Sequence, residues 1–221
     1  MLTQLALAPS AVLVLFLLAF DKYAKEPLWL MAVFFIYGGF SVVISMAVIS
    51  VISSWGIQNS FPFLYTALFS SAFPEELIKA AFIYLLFVNN RFINEPFDFI
   101  LYPCIFALGF ASAENIIYVY HPFWGGVSTA LTRAVFSVPG HFLFAVSFGY
   151  GFAGGKCLNF CRKNIFKGFL YALILHFFYN GILLFGEKAY LFVFIPYVFL
   201  LWKRGLKKMM YMQIKYDVNI S

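Results

Sequence analysis

Apolar residues fill this chain in long unbroken runs instead of alternating. Seven such segments, at about 3–20, 28–55, 63–88, 98–120, 127–155, 168–186 and 189–202, are separated by stretches of turn and polar residues such as Asp21 to Pro27, Gly56 to Pro62, Asn89 to Pro96 and the turn opened by His121 and Pro122. A hydrocarbon layer about 30 Å thick takes roughly 20 helical residues, whereas membrane β-strands alternate over about 10. The pattern therefore predicts an all-α, polytopic membrane helix bundle of about seven transmembrane helices. Composition points the same way, because 63% hydrophobic and 11% charged residues are incompatible with a soluble domain. No repeat, low-complexity segment or linker divides the chain. The expectation is one transmembrane domain over 1–202 and a basic cytoplasmic tail over 203–221.

The formal charge of +6 reports topology and not nucleic-acid binding, because the basic residues are gathered in particular loops. Lys22, Lys25, Arg91, Lys156, Arg162, Lys163 and Lys167 fall in alternate loops, and Lys203, Arg204, Lys207, Lys208 and Lys215 follow the last span. Only Lys188 stands on the opposite side, and Lys79 and Arg133 lie within spans. The positive-inside rule places the C-terminus in the cytoplasm and, with seven spans, the N-terminus outside. Met1 to Gln4 lack the positive charge of a secretory signal, so the first apolar run reads as a retained span. Of the three cysteines, Cys104 lies in a span, and Cys157 and Cys161 read as reduced thiols in a basic loop.

Charge inside the spans changes the picture. Phe73 to Lys79, Phe-Pro-Glu-Glu-Leu-Ile-Lys, puts two carboxylates and an ammonium in the third apolar segment, where each charge costs roughly 2.5–3.5 kcal/mol on insertion scales. Pro74 predicts a break or kink in that span, with Glu75 and Glu76 in the first turn of the helix that follows, where the helix dipole favours negative charge. Being adjacent, the two glutamates point about 100° apart, so only one can face a given cavity directly. Other spans carry Glu114 with Asn115, Arg133, His141, and His176 with Asn180. Glu75 to Lys79, Arg133 to His141 through Ser137, and His176 to Asn180 each repeat at helical spacing and so share a face. At about 1.5 Å of rise per residue the set sorts into two layers: Glu114 with Arg133 as an ion pair, and the glutamate pair, Lys79 and both histidines nearer the middle. Three glutamates against one lysine and one arginine leave an excess negative charge that one proton cancels. A glutamate poised between its two forms is what general acid–base chemistry uses. Elsewhere the small residues Gly151 and Gly155, and Gly109 with Ala113, read as helix-packing contacts, the 31 phenylalanines as lipid-facing or core surface, and His121 as a solvated loop residue.

Several chemistries are excluded. There is no His-Glu-x-x-His run, no Gly-x-Ser-x-Gly elbow, and no aspartate within a span, Asp98 standing at a boundary. What remains for hydrolysis is glutamate and histidine acting on water, with or without a metal. A proton-coupled transporter or channel, and a catalytically silent scaffold of the same fold, are the alternatives.

Four motifs together resemble the PrsW family of intramembrane proteases: Glu-Glu-Leu-Ile-Lys at 75–79, Phe110-Ala-Ser-Ala-Glu-Asn115, the Arg133 to His141 spacing, and Leu175-His-Phe-Phe-Tyr-Asn180. That family is similar in turn to the type II CAAX prenyl endopeptidases. The resemblance covers roughly residues 70–185 and implies a helical peptidase core in the plasma membrane of a bacterium. Its implied partners are the lipid bilayer and a membrane-anchored protein substrate, anti-sigma factors being the known type. It also implies Glu75 and Glu76 as the water-activating pair, with Glu75 the first choice of base. His141 and His176 would orient the water or stabilise the oxyanion, and Asn180 would donate to that oxyanion. Lys79, Glu114, Asn115 and Arg133 would brace the cavity. If a metal takes part, a zinc ion held by His141, His176 and one glutamate, Glu75, is implied. The loop after Tyr120 is short and no soluble domain is appended, so substrate recruitment has no evident segment.

Overall fold

The structure, a computed structural model, describes residues 1–21, 25–88, 90–153, 162–184 and 189–220. Among these it contains helices and no strand. In chain order they are α1 (Leu2–Phe20), α2 (Leu28–Ser53), the short α3 (Ile57–Ser60) and α4 (Pro62–Leu64), a π turn at Tyr65–Phe69, α5 (Ala72–Phe87), α6 (Asp98–Val119), α7 (Val127–Val135), α8 (Ser137–Phe152), α9 (Arg162–Leu183) and α10 (Ala189–Ile220). Five stretches are long and apolar enough to cross a membrane: α1, α2, α6, α7 with α8 as Val127–Phe152, and Asn164–Leu183 of α9. The other two expected spans are the interrupted run through α4, the π turn and α5, and the first half of α10. Gly155, Cys157, Cys161, Lys22, Lys156 and Lys188 lie outside the described residues.

The bundle is built around α6. Of its apolar window 78% is buried, against 17% for α1, so α6 is the inner helix and α1 part of the outer wall. It packs on α1, α2, α7 and α8, while α8 also packs on α9 and α10, and α9 on α5. The crossing of α2 and α6 is possible only because a side chain is missing on each helix. A Cβ on Gly38 of α2 would lie 2.0 Å from the Phe106 carbonyl oxygen, and one on Gly109 of α6 would lie 2.0 Å from that of Phe35. Backbone therefore meets backbone, the close approach that small residues allow between membrane helices.

Two spans are interrupted just ahead of a proline, while Pro9, Pro103 and Pro196 lie inside unbroken helices. A proline ring clashes with the carbonyl four residues earlier; for Pro74 that is Ser70, and for Pro139 it is Val135. The chain yields at those places. Ser70 N–H closes the π turn on the Tyr65 carbonyl at 2.8 Å, and Ser71, at φ −157° and ψ −63°, starts α5. Phe136, at φ −113° and ψ −58°, separates α7 from α8. The third span is thus broken as expected, a turn ahead of Pro74. The second break was not expected.

One end of the bundle, where α1 finishes and α6 starts, is tied down twice. Tyr102 donates a short hydrogen bond to Glu26, pinning the α1–α2 connection to α6. Residues 203–214, read from sequence as a basic tail, continue α10 and pack on the bundle: Met209 and Met212 are buried, Lys208 donates to Ser147 Oγ at 3.0 Å, and Gln213 donates to the Phe20 carbonyl.

Candidate active site

Each proline break delivers ionisable side chains into the start of a new helix. Glu75 and Glu76 follow Pro74 directly, and His141 follows Pro139 by two residues. Facing them are Glu114 and Asn115 late in α6, and His176 and Asn180 one turn apart on α9. Glu75, Glu76, Lys79, Asn115, His141 and His176 are buried, and Glu114, Arg133 and Asn180 are half-buried.

Lys79 stands at the centre. Its Nζ donates to Glu76 Oε1 at 3.0 Å, to His141 Nδ1 at 3.1 Å and to Glu75 Oε2 at 3.4 Å, and lies 4.0 Å from the centre of the Phe110 ring. An ammonium carries three hydrogens and accepts nothing, so its donors are fully used. The same rule fixes His141. Nδ1 must accept, Nε2 therefore carries the hydrogen, and it donates to Glu114 Oε2 at 3.0 Å. Glu114 Oε2 also receives Arg133 Nη2 at 2.6 Å, Arg133 Nε donates to Asn115 Oδ1 at 2.7 Å, and Asn115 Nδ2 donates to the Ala6 carbonyl at 3.1 Å. Tyr118 covers the guanidinium, 4.0 Å from its ring centre. The two layers expected from depth are thus one network, with His141 as the bridge between Lys79 and Glu114.

On the other side, His176 Nδ1 donates to Glu76 Oε1 at 3.0 Å, and its ring stacks on Phe144 with centroids 4.8 Å apart. This pairing fixes the ring and leaves Nε2 outside the network. Asn180 Nδ2 donates to Ser71 Oγ at 2.7 Å and to the Ala67 carbonyl at 3.3 Å, holding the π turn against α9. His121 stays apart, stacked on Trp124 in the loop after α6.

These groups border a cavity of about 460 Å³, walled by Ser71, Glu75, Glu114, Arg133, Ser137, His141, His176 and Asn180 together with the rings of Tyr118, Phe136, Phe144, Tyr179 and Phe194. Of the adjacent glutamates it is Glu75 that lines it, while Glu76 is spent on Lys79 and His176. Ser71, Phe110, Tyr118 and Phe144 were not singled out in the sequence. Helical spacing could have found three of them, since Ser71 precedes Glu75 by four residues, Phe110 precedes Glu114 by four, and Tyr118 follows Glu114 by four.

Glu75, Glu76, His141 and His176 each offer an atom within 4.8 Å of the others. Ligands of a tetrahedral zinc ion lie about 3.4 Å apart, so by type and spacing the set would suit a metal after slight contraction. Its arrangement does not. Glu75, Glu76 and His141 each direct an atom at Lys79 Nζ, and the second nitrogen of His141 is held by Glu114. A metal ion among those donors would have to displace the ammonium.

A polar cavity inside a bundle of apolar helices defines an integral membrane protein with ionisable groups gathered in its interior. Comparison with known families places it more closely: residues 26–201 match the family described as PrsW family intramembrane metalloprotease. Among curated proteins, the chain is 34% identical to Protease PrsW of Oceanobacillus iheyensis over 198 residues, covering 89% of this chain and 88% of that one. It is 28% identical to Protease PrsW of Clostridioides difficile over 212 residues, covering 93% and 88%, and 27% identical to Protease PrsW of Bacillus subtilis over 206 residues, covering 91% of each. The chain belongs to the PrsW family of intramembrane proteases. No solved structure matches it.

Proposed function

We propose that the chain hydrolyses peptide bonds of membrane-anchored protein substrates, anti-sigma factors being the expected type, using a water held between Glu75 and His176. The observation that carries this reading is that both side chains line one cavity while their neighbours Glu76 and Lys79 hold them in place. Glu75 takes a proton from the water as its oxygen adds to the substrate carbonyl carbon. The tetrahedral intermediate then collapses, the C–N bond breaks, and the proton passes to the leaving amine. His176, oriented through Nδ1 by Glu76, presents Nε2 to this water or to the departing nitrogen. Asn180 is the oxyanion donor, exchanging its bond to Ser71 for one to the intermediate. His141, with both nitrogens occupied, acts by positioning Lys79 and Glu114.

The distribution of basic residues supports a membrane protein with its N-terminus outside and its C-terminus in the cytoplasm, the bundle together with the packed continuation of α10 forming one domain. The test is cleavage of a tethered single-span reporter by the purified protein in lipid vesicles. Glu75→Gln and His176→Ala should each lower the rate by about 10²–10⁴-fold, the usual contribution of general acid–base groups, with the melting temperature retained. Undiminished cleavage by both variants would remove the reading. Acid-driven solute uptake with no peptide product would support a transporter instead.

A further inference from the structure

Lys79 has the surroundings of a bound cation. Its ammonium nitrogen is in a residue only 4% exposed, meets two carboxylate oxygens and an imidazole nitrogen at 3.0–3.4 Å, and faces the π surface of Phe110 on a further side. A brace needs one such contact; this nitrogen has as many acceptors as it has hydrogens. Three of the four side chains that could ligate a metal therefore already converge on a positive charge. The fourth, His176, is bonded to the same Glu76 oxygen that Lys79 contacts.

We propose that the Lys79 ammonium is the resident cation of this site, so that a divalent transition metal and Lys79 are mutually exclusive occupants, and that a neutral side chain at position 79 opens a zinc site made by Glu75, Glu76, His141 and His176. The geometry explains why the donor set is of metal-binding type although Lys79 fills its centre. Two buried carboxylates need a compensating positive charge, and a side-chain ammonium and a zinc ion are alternative ways to supply it. Lys79→Met removes the charge and leaves most of the volume, exposing four donors whose spacing suits zinc after slight contraction. The inference concerns occupancy alone and holds whether or not the chain cleaves peptides.

Wild type, Lys79→Met, Lys79→Gln, His176→Ala and Lys79→Met with His176→Ala are purified in lipid nanodiscs, incubated with zinc sulfate and freed of excess ion. Zinc is then counted per chain by mass spectrometry, and melting is followed with and without zinc. Wild type is expected to retain no more zinc than the His176→Ala double variant. Lys79→Met or Lys79→Gln should gain about one zinc per chain, lose it on His176→Ala, and melt higher when zinc is present. The proposal is overturned if wild type itself holds about one zinc that His176→Ala removes, because lysine and metal would then coexist. It is equally overturned if the neutral variants fold and acquire none. Should neither neutral variant fold, zinc held by wild type and lost in the single His176→Ala variant overturns the proposal, and zinc absent from both supports the mutual exclusion of lysine and metal.

Discussion

Gly109→Ala alters no polar group, yet it should disable the cavity. The added methyl would stand 2.0 Å from the Phe35 carbonyl oxygen, 2.7 Å from its carbon and 2.9 Å from its Cα. These are backbone atoms of α2, which cannot swing aside as a side-chain tip would. Restoring an ordinary contact of 3.4 Å means parting α2 and α6 by about 1.4 Å. Overpacking of this kind costs about 1–3 kcal/mol. Glu114 lies five residues further along α6, so the shift is carried to the carboxylate that holds His141 and Arg133. A displacement near 1 Å in a reacting arrangement costs roughly 10²-fold in rate. Gly39→Ala is the internal control, because its methyl meets the Gly109 carbonyl oxygen at 3.5 Å and Ala113 Cβ at 3.6 Å, both ordinary contacts. Reporter cleavage in vesicles and thermal melting in nanodiscs should show Gly109→Ala impaired in both and Gly39→Ala near wild type. Equal behaviour of the two variants would refute the backbone-contact reasoning.

Glu114→Ala strands the Arg133 guanidinium inside the bundle with Asn115 and the Tyr118 ring for company, and should cost about 3 kcal/mol, the low end for a broken buried pair because Arg133 borders the cavity. Adding Arg133→Met should restore much of that stability, a recovery measurable in a double-mutant cycle of melting temperatures. Tyr102→Phe leaves the buried Glu26 carboxylate short of a donor and should destabilise by about 1–3 kcal/mol, read by denaturant titration. Asn180→Ala removes the proposed oxyanion donor and should lower kcat by about 10²–10³-fold, whereas a purely structural role would appear in the melting temperature with little change in turnover.

The polar residues that border the cavity were legible as a candidate site because a charge in an apolar run is conspicuous and helical spacing tells which charges share a face. Glu75 pairs with Lys79 on one helix, and His176 and Asn180 line the cavity together, for that reason. The division of labour between Glu75 and Glu76 was legible only in part: adjacency requires that they diverge, but which one faces the cavity depends on how α5 leaves Ser71. Depth counting treated the fifth apolar segment as one straight helix, and Phe136 interrupts it, so His141 and Arg133 came out in separate layers when both in fact bond Glu114. Pro139 held the missing signal, since a proline perturbs the helix four residues before itself. Lys79 was read as a brace because sequence spacing reveals its own-helix partners, Glu75 and Glu76, and is silent about His141, which arrives from 62 positions away. The same blindness to long-range packing hid the continuation of α10 along the bundle.

Water access to the cavity bears most directly on whether ionisable groups from separate helices share one polar chamber. With Cys157 and Cys161 replaced, Ser137→Cys places a thiol on the cavity wall, while the native Cys104, 0% exposed, is the buried reference in the same molecule. A wet chamber predicts that a small membrane-impermeant thiol reagent modifies position 137 at least about tenfold faster than Cys104, and that a bound single-span peptide slows that reaction. Modification at position 137 as slow as at Cys104, with or without peptide, would contradict the existence of the chamber.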